Sequence, residues 1–238
     1  MVQCDLHSAP HDDFTLYLFE VCGLLDMPGF TVGRRTPCKR LWTRFVAPRR
    51  RTGVQPISGL PRSLLDIQAR IDSPGAEQSL LLWAPETADH AVQYYFWEAF
   101  RLASLLLCHS LASLKRDQGG RTIMGCGRTE SLILGILSNI RSLKSAPNRG
   151  LFRVPLHTCI IFPLWIAGLH TEAGSESRTL LRQEFESFIA ERGNQVDHTT
   201  WDILLEVWSR RESCSSSLSP MVLADQFANE MEIELHLY

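Results

Sequence analysis

The stretch that decides the fold is DHAVQYYFWEAFRLASLLLCHSLASLK, residues Asp89–Lys115, which contains neither Gly nor Pro. Apolar residues recur along it at the spacing of one helix face: Val92, Phe96, Ala99, Ala103 and Leu106. Neighbouring apolar residues widen that face beyond the stripe of an ordinary surface helix. We therefore predict a long helix that lies at the centre of the fold and is covered on most sides.

Two further stretches predict helices that pack beside it. The segment IIFPLWIAGLHTEAGSESRTLLRQEFESF, residues Ile160–Phe188, is typical of two helices joined at a turn of small residues, and Pro163 and Gly168 are expected to permit the turn. The segment TTWDILLEVWSRR has Trp201 and Trp208 on one helical stripe, and Asp197 is expected to cap its start.

Strand patterns are weak in this sequence. The C-terminal MEIELHLY, residues Met231–Tyr238, alternates as a strand would, but a frayed helix end explains it equally well. We predict an all-α fold, with residues 1–238 forming one domain: a multi-helix bundle or irregular helical domain around a long central helix.

Composition is that of a globular chain, with 45% hydrophobic and 21% charged residues. Two apolar runs, Leu102–Leu114 and Val154–Leu169, are shorter than the ~20 residues that cross a bilayer. The N-terminal MVQCDLHSAPHDD lacks the basic start and apolar run of a signal peptide. We expect no membrane contact and a reducing intracellular compartment.

Residue patterns for catalysis are weak. The loop GGRTIMGCGRTE has the two glycines of a phosphate-binding loop at Gly120 and Gly125, but Cys126 stands where that motif needs lysine. The eight histidines form no H-E-x-x-H motif, and no two of the seven cysteines are closer than 16 residues. We therefore expect no enzyme activity, no catalytic residues, no metal site and no cofactor.

A basic segment, GRRTPCKRLWTRFVAPRRR, is the one candidate site. No Asp or Glu lies between Met27 and Leu65, so this part of the chain carries a charge of about +9 and the remainder about −11. The candidate residues are Arg34, Arg35, Lys39, Arg40, Arg44, Arg49, Arg50 and Arg51. They could form a nuclear-import signal, or contact phosphates while Trp42 and Phe45 stack on bases. Alternatively they form a solvated loop whose cations pair with acids of the same domain.

The order of several motifs resembles the fungal-specific transcription factor domain, the C-terminal regulatory domain of Zn2Cys6 zinc-cluster transcription factors. A Gly-Leu-Pro-x-x-Leu-Leu segment is matched by Gly59–Pro61 with Leu64 and Leu65, and a Glu-Ala-x-Arg-Leu-Ala helix by Glu98–Ala103. A Pro-Leu-Phe/Trp-Ile-Ala-Gly segment is matched by Pro163–Gly168, followed about ten residues later by an arginine, Arg178. Trp201 and Trp208 match the closing helix. The resemblance covers about residues 13–212; residues 1–12 and 213–238 carry less of it.

The resemblance implies a nuclear regulator of a metabolic or secondary-metabolite gene cluster, with the cytoplasm as the alternative location. The zinc cluster of that family needs paired C-x2-C-x6-C thiolates, which these cysteines do not supply. We therefore expect no specific DNA binding from this chain. We expect it to act through other transcription regulators, a homodimer or a small-molecule effector. The alternatives are a helical small-molecule-binding or biosynthetic-pathway protein, and a truncated, non-functional relative.

Overall fold

The computed structural model describes residues 13–85, 91–116, 126–146, 156–192, 195–213 and 218–237. The helices and strands of these residues are α1 Asp13–Leu25, β1 Thr31–Val32, a π-helical turn Trp42–Val46, a 3-10 turn Ala47–Arg49, α2 Arg62–Gln68, α3 Ala76–Leu82, α4 Ala91–Arg116, α5 Cys126–Ser145, α6 Leu156–His170, α7 Glu176–Arg192, α8 Gln195–Ser213, α9 Pro220–Glu230 and β2 Leu235–His236. The all-α prediction is confirmed.

The predicted central helix is α4. It packs against α3, α5 and α6, and its stripe residues Val92, Phe96, Ala99 and Ala103 are at most 3% exposed. A cluster of three phenylalanine rings fixes its middle: Phe100 lies 4.8 Å from Phe162 of α6 and 5.5 Å from Phe30, measured between ring centroids. Each buried aromatic ring removes a large apolar surface from water, and this burial stabilises the packing of α4.

The small sheet joins the segment after α1 to the C-terminal end of the described residues. β1 and β2 are antiparallel, with Thr31 opposite His236, and the amide of Leu237 donates to the Phe30 carbonyl at 2.8 Å. The sequence of Met231–Tyr238 fits either a strand or a frayed helix end, and the structure shows a strand over the two residues Leu235–His236. Buried apolar side chains form one cluster from Leu24 to Leu237. The single domain over residues 1–238 stays a prediction.

Two local predictions are wrong. Pro163 and Gly168 do not form a turn, because both lie inside α6; the chain turns at 171–175, where Gly174 has a φ of +74°. Gly168 serves close packing instead, since a Cβ there would lie 2.5 Å from a methyl carbon of Leu204. Asp197 does not cap α8, which begins two residues earlier at Gln195 and contains Asp197 as a buried residue of its first turn.

Among the residues that the structure describes, no helix combines the length with the apolar character that a membrane span requires.

Candidate functional site

The basic segment folds around Asp26, which follows the last residue of α1. The Asp26 carboxylate accepts hydrogen bonds from the backbone amides of Lys39 at 2.8 Å and Leu41 at 2.9 Å, and it pairs with Arg34 at 3.3 Å. The Cys38 thiol donates to the Asp26 carbonyl at 2.8 Å, and burial raises the pKa of that thiol. One buried carboxylate therefore fixes the course of residues 34–41.

Glu20 organises the far end of the same segment. Its side chain is 2% exposed, and both oxygens accept from the guanidinium of Arg62 at 2.9 Å. Arg51 reaches the same carboxylate at 3.1 Å from a more exposed position. Arg62 also donates to the carbonyls of Thr52 and Val54, so it holds the returning backbone in place. Two-point pairing of this kind gives both geometric specificity and strength.

A third carboxylate, Asp72, accepts from Arg40, with a distance of 3.0 Å for the first of two hydrogen bonds. That hydrogen bonding raises the pKa of the Arg40 guanidinium. Arg40 has a φ of +57°, a backbone conformation that residues other than glycine rarely adopt. With this backbone conformation, its guanidinium pairs with Asp72. Both partners are partly exposed to solvent, so the pair contributes modestly to stability.

Arg49 is half-buried against a pair of aromatic rings. Arg49 donates to the Phe45 carbonyl and lies 5.9 Å from the centre of the Phe19 ring, and Phe19 stacks on Phe45 at 5.0 Å. Phe45 is thus half-buried in an aromatic pair, while Trp42 is 1% exposed and donates to Asp66 at 2.7 Å. Stacking on nucleic-acid bases would require both rings to leave these contacts.

The structure therefore divides the eight predicted patch residues into three groups. Arg49 packs against Phe19 and Phe45. Arg34, Arg40 and Arg51 form ion pairs within the chain. The outward-facing cations are Arg35, Lys39, Arg44 and Arg50. That this patch acts as a nuclear-import signal, or that it contacts phosphates, stays a prediction. The carboxylates that organise it, Glu20, Asp26 and Asp72, are 8 to 32 residues from their patch partners. Sequence spacing carries no signal for such pairs.

A cleft of about 200 Å³ lies beside the basic segment, between residues 28–38, α6 and α9. Its apolar side is formed by Trp165, Leu169 and Met221, and its polar side by Arg34, Cys38 and Asp225. The Asp225 carboxylate accepts from the Gly33 amide at 2.8 Å. Arg34 donates to the Leu25 carbonyl and the Thr31 hydroxyl as well as to Asp26. The polar groups are thereby held in fixed positions.

Several of the described histidines and cysteines have structural contacts. Burial lowers the pKa of His170 to about 4, and its Nε2 lies 2.7 Å from the Ser110 hydroxyl. Burial raises the pKa of Cys108 to about 12, where the thiol is a poor nucleophile at neutral pH. His109 lies 2.8 Å from Glu77, and His236 lies 3.1 Å from the Thr31 hydroxyl.

Within the described part of the chain, no three His, Cys, Asp or Glu side chains are grouped as a metal ion would need. The glycine-rich loop between Gly119 and Gly125 lies outside the described residues, as do His7, His11 and His90.

A protein-family model matches this chain. The model of the fungal specific transcription factor domain matches residues 31–227, which is most of the chain. The match starts later and ends later than the range of 13–212 over which the motifs carry the resemblance, so it includes part of α9. Neither the curated proteins nor the solved structures gave a match to this chain.

Proposed function

Because the chain belongs to the family of fungal-specific transcription factor domains, which are regulatory and not enzymatic, we propose that it regulates a metabolic or secondary-metabolite gene cluster from the nucleus. In this proposal it acts through contacts with other transcription regulators or with an effector. The alternative location is the cytoplasm, in which a regulator could be retained until it is needed. The observation that carries the proposal is the family match over residues 31–227.

Two observations support action through such contacts rather than through base-specific DNA contact. The seven cysteines of this sequence are at least 16 residues apart, so these 238 residues contain no C-x2-C-x6-C pattern for a zinc cluster. In addition, Arg34, Arg40 and Arg51 are already paired with acids of the same chain. Cations held in this way have lost part of the freedom with which they would pair with phosphates.

The experiment is a deletion of the gene followed by transcript profiling. We expect a group of metabolic genes to change together, and a gel-shift assay with the purified chain on their promoters to show only weak binding that disappears as salt is raised. Unchanged transcripts together with the loss of one metabolite would contradict the proposal and favour a biosynthetic protein. Tight promoter binding that survives raised salt would contradict the proposed mode of action.

The cleft between residues 28–38, α6 and α9 is our candidate for effector binding. Its apolar side and the Asp225 carboxylate suit a small, largely apolar molecule that carries a hydrogen-bond donor. Such a ligand would stabilise the folded chain by mass action. We expect at least one fraction of a metabolite extract, prepared from the cells that produce the protein, to raise the melting temperature of the wild type.

The matched variants for this test are Met221→Trp, which fills the cleft, and Met231→Trp, which enlarges an exposed side chain after α9. We expect Met221→Trp to lose the ligand-induced shift and Met231→Trp to keep it. If no fraction raises the melting temperature, or if Met221→Trp responds as the wild type does, the cleft is not the effector site.

A further inference from the structure

The outer face of α1 is apolar along its whole length. Phe14 is 67% exposed, Tyr17 41%, Leu18 44% and Leu25 39%, and Cys22 is exposed between them. We call these five residues the outer stripe. They recur at the spacing with which one helix presents a seam to another. An exposed apolar strip of this kind usually marks an interaction surface.

The packing of the inner face keeps the outer stripe in solvent. α1 contacts the π-helical turn, and a Cβ at Gly23 would lie only 3.2 Å from Trp42. Glu20, the one charged residue within the helix after Asp13, points inward to Arg62 and Arg51. The helix therefore cannot rotate to bury the stripe without breaking a buried ion pair.

We propose that the outer stripe joins two copies of this chain through an antiparallel α1–α1 contact. Charge complementarity points to this occupant. Asp13 lies at the start of α1. At the end of α1, Arg34 is paired with Asp26, but Lys39, whose backbone amide donates to the Asp26 carboxylate, is exposed, so these three residues leave a net charge of +1. Antiparallel pairing brings the acid of each copy to the basic end of the other. Parallel pairing would place like charges together.

The size of the contact predicts its strength. A helix of 13 residues is about 20 Å long, so one helix pair buries less than the ~1,200 Å² of a stable complex. We therefore expect a reversible dimer that dissociates on dilution. The inference deepens the proposed function by naming a second copy as a partner, but its test measures association and not transcription, so either can fail alone.

The stripe also predicts a register. With Phe14 opposite Leu25, Tyr17 of one copy lies opposite Cys22 of the other, and the two Cys22 residues are separated by roughly 7–8 Å along the helix axis. Under mild oxidation, Tyr17→Cys should therefore form a covalent dimer through Cys22 of the second copy. The double variant Tyr17→Cys with Cys22→Ser should not. Rapid cross-linking of the wild type through Cys22 would instead indicate parallel helices and overturn the proposal.

Sedimentation equilibrium of the full chain tests the association itself. We expect a mass that rises with concentration toward a dimer for the wild type, and a dissociation constant at least about tenfold weaker for Leu18→Glu. The matched control is Leu82→Glu, which adds the same charge at a residue of α3 that is 74% exposed, and it should dimerise as the wild type does. A wild type that stays monomeric throughout, or equal weakening by both variants, would overturn the proposal.

Discussion

Trp208→Ala is expected to lower the free energy of unfolding by about 4–5 kcal/mol. Trp208 is 2% exposed in α8, and its indole Nε1 donates to the Gly168 carbonyl of α6 at 2.9 Å. The guanidinium of Arg178, in α7, lies 4.2 Å from the centre of the ring. Truncation would thus open a cavity where three helices meet and remove a cation–π contact as well.

Trp208→Phe is the matched control. It keeps most of the ring volume, and the Gly168 carbonyl still accepts from the hydroxyl of Thr171 at 3.0 Å. We therefore expect a loss of only about 1–2 kcal/mol for this variant. Urea unfolding with linear extrapolation measures both values. If Trp208→Ala were within about 1 kcal/mol of the wild type, the three-helix junction would not have the role described here.

The sequence predicts α8 and Trp208 well for a physical reason. A stripe at helical spacing depends only on local geometry, and α4 and α8 both bury the side chains that their stripes identify. Helix starts were less predictable. Asp197 has the side chain of a good cap, but the helix extends past it to Gln195. Packing of the whole helix outweighs the preference of one residue at its end.

The basic segment shows where prediction from sequence stops. Charge separation along the chain indicates correctly that acids of the same domain are available to its arginines. It does not tell which arginine pairs with which acid, because Glu20 and Asp72 approach these arginines only in the folded chain. The exposed outer stripe of α1 is equally invisible, since an apolar helix face in a sequence is normally assigned to the core.

Arg62→Met is expected to cost about 3 kcal/mol, the second large effect. The substitution preserves much of the apolar stem but removes the guanidinium from a Glu20 side chain that is 2% exposed. Arg51 would be the remaining described cation on that carboxylate, and it is 38% exposed. An ion pair open to solvent compensates only weakly for a buried charge. The carbonyls of Thr52 and Val54 would lose a donor at the same time.

The double variant Glu20→Met with Arg62→Met separates the buried charge from the other losses. When the Glu20 carboxylate is removed together with the Arg62 guanidinium, no buried charge is left without its partner, so the double variant should be more stable than Arg62→Met alone by about 1–2 kcal/mol. Arg51→Met, at the exposed end of the same cluster, should cost no more than about 1 kcal/mol. The comparison uses urea unfolding midpoints at constant slope. Strictly additive losses in the double variant would mean that Glu20 and Arg62 act independently, and the segment would then be anchored by its backbone contacts rather than by this pair.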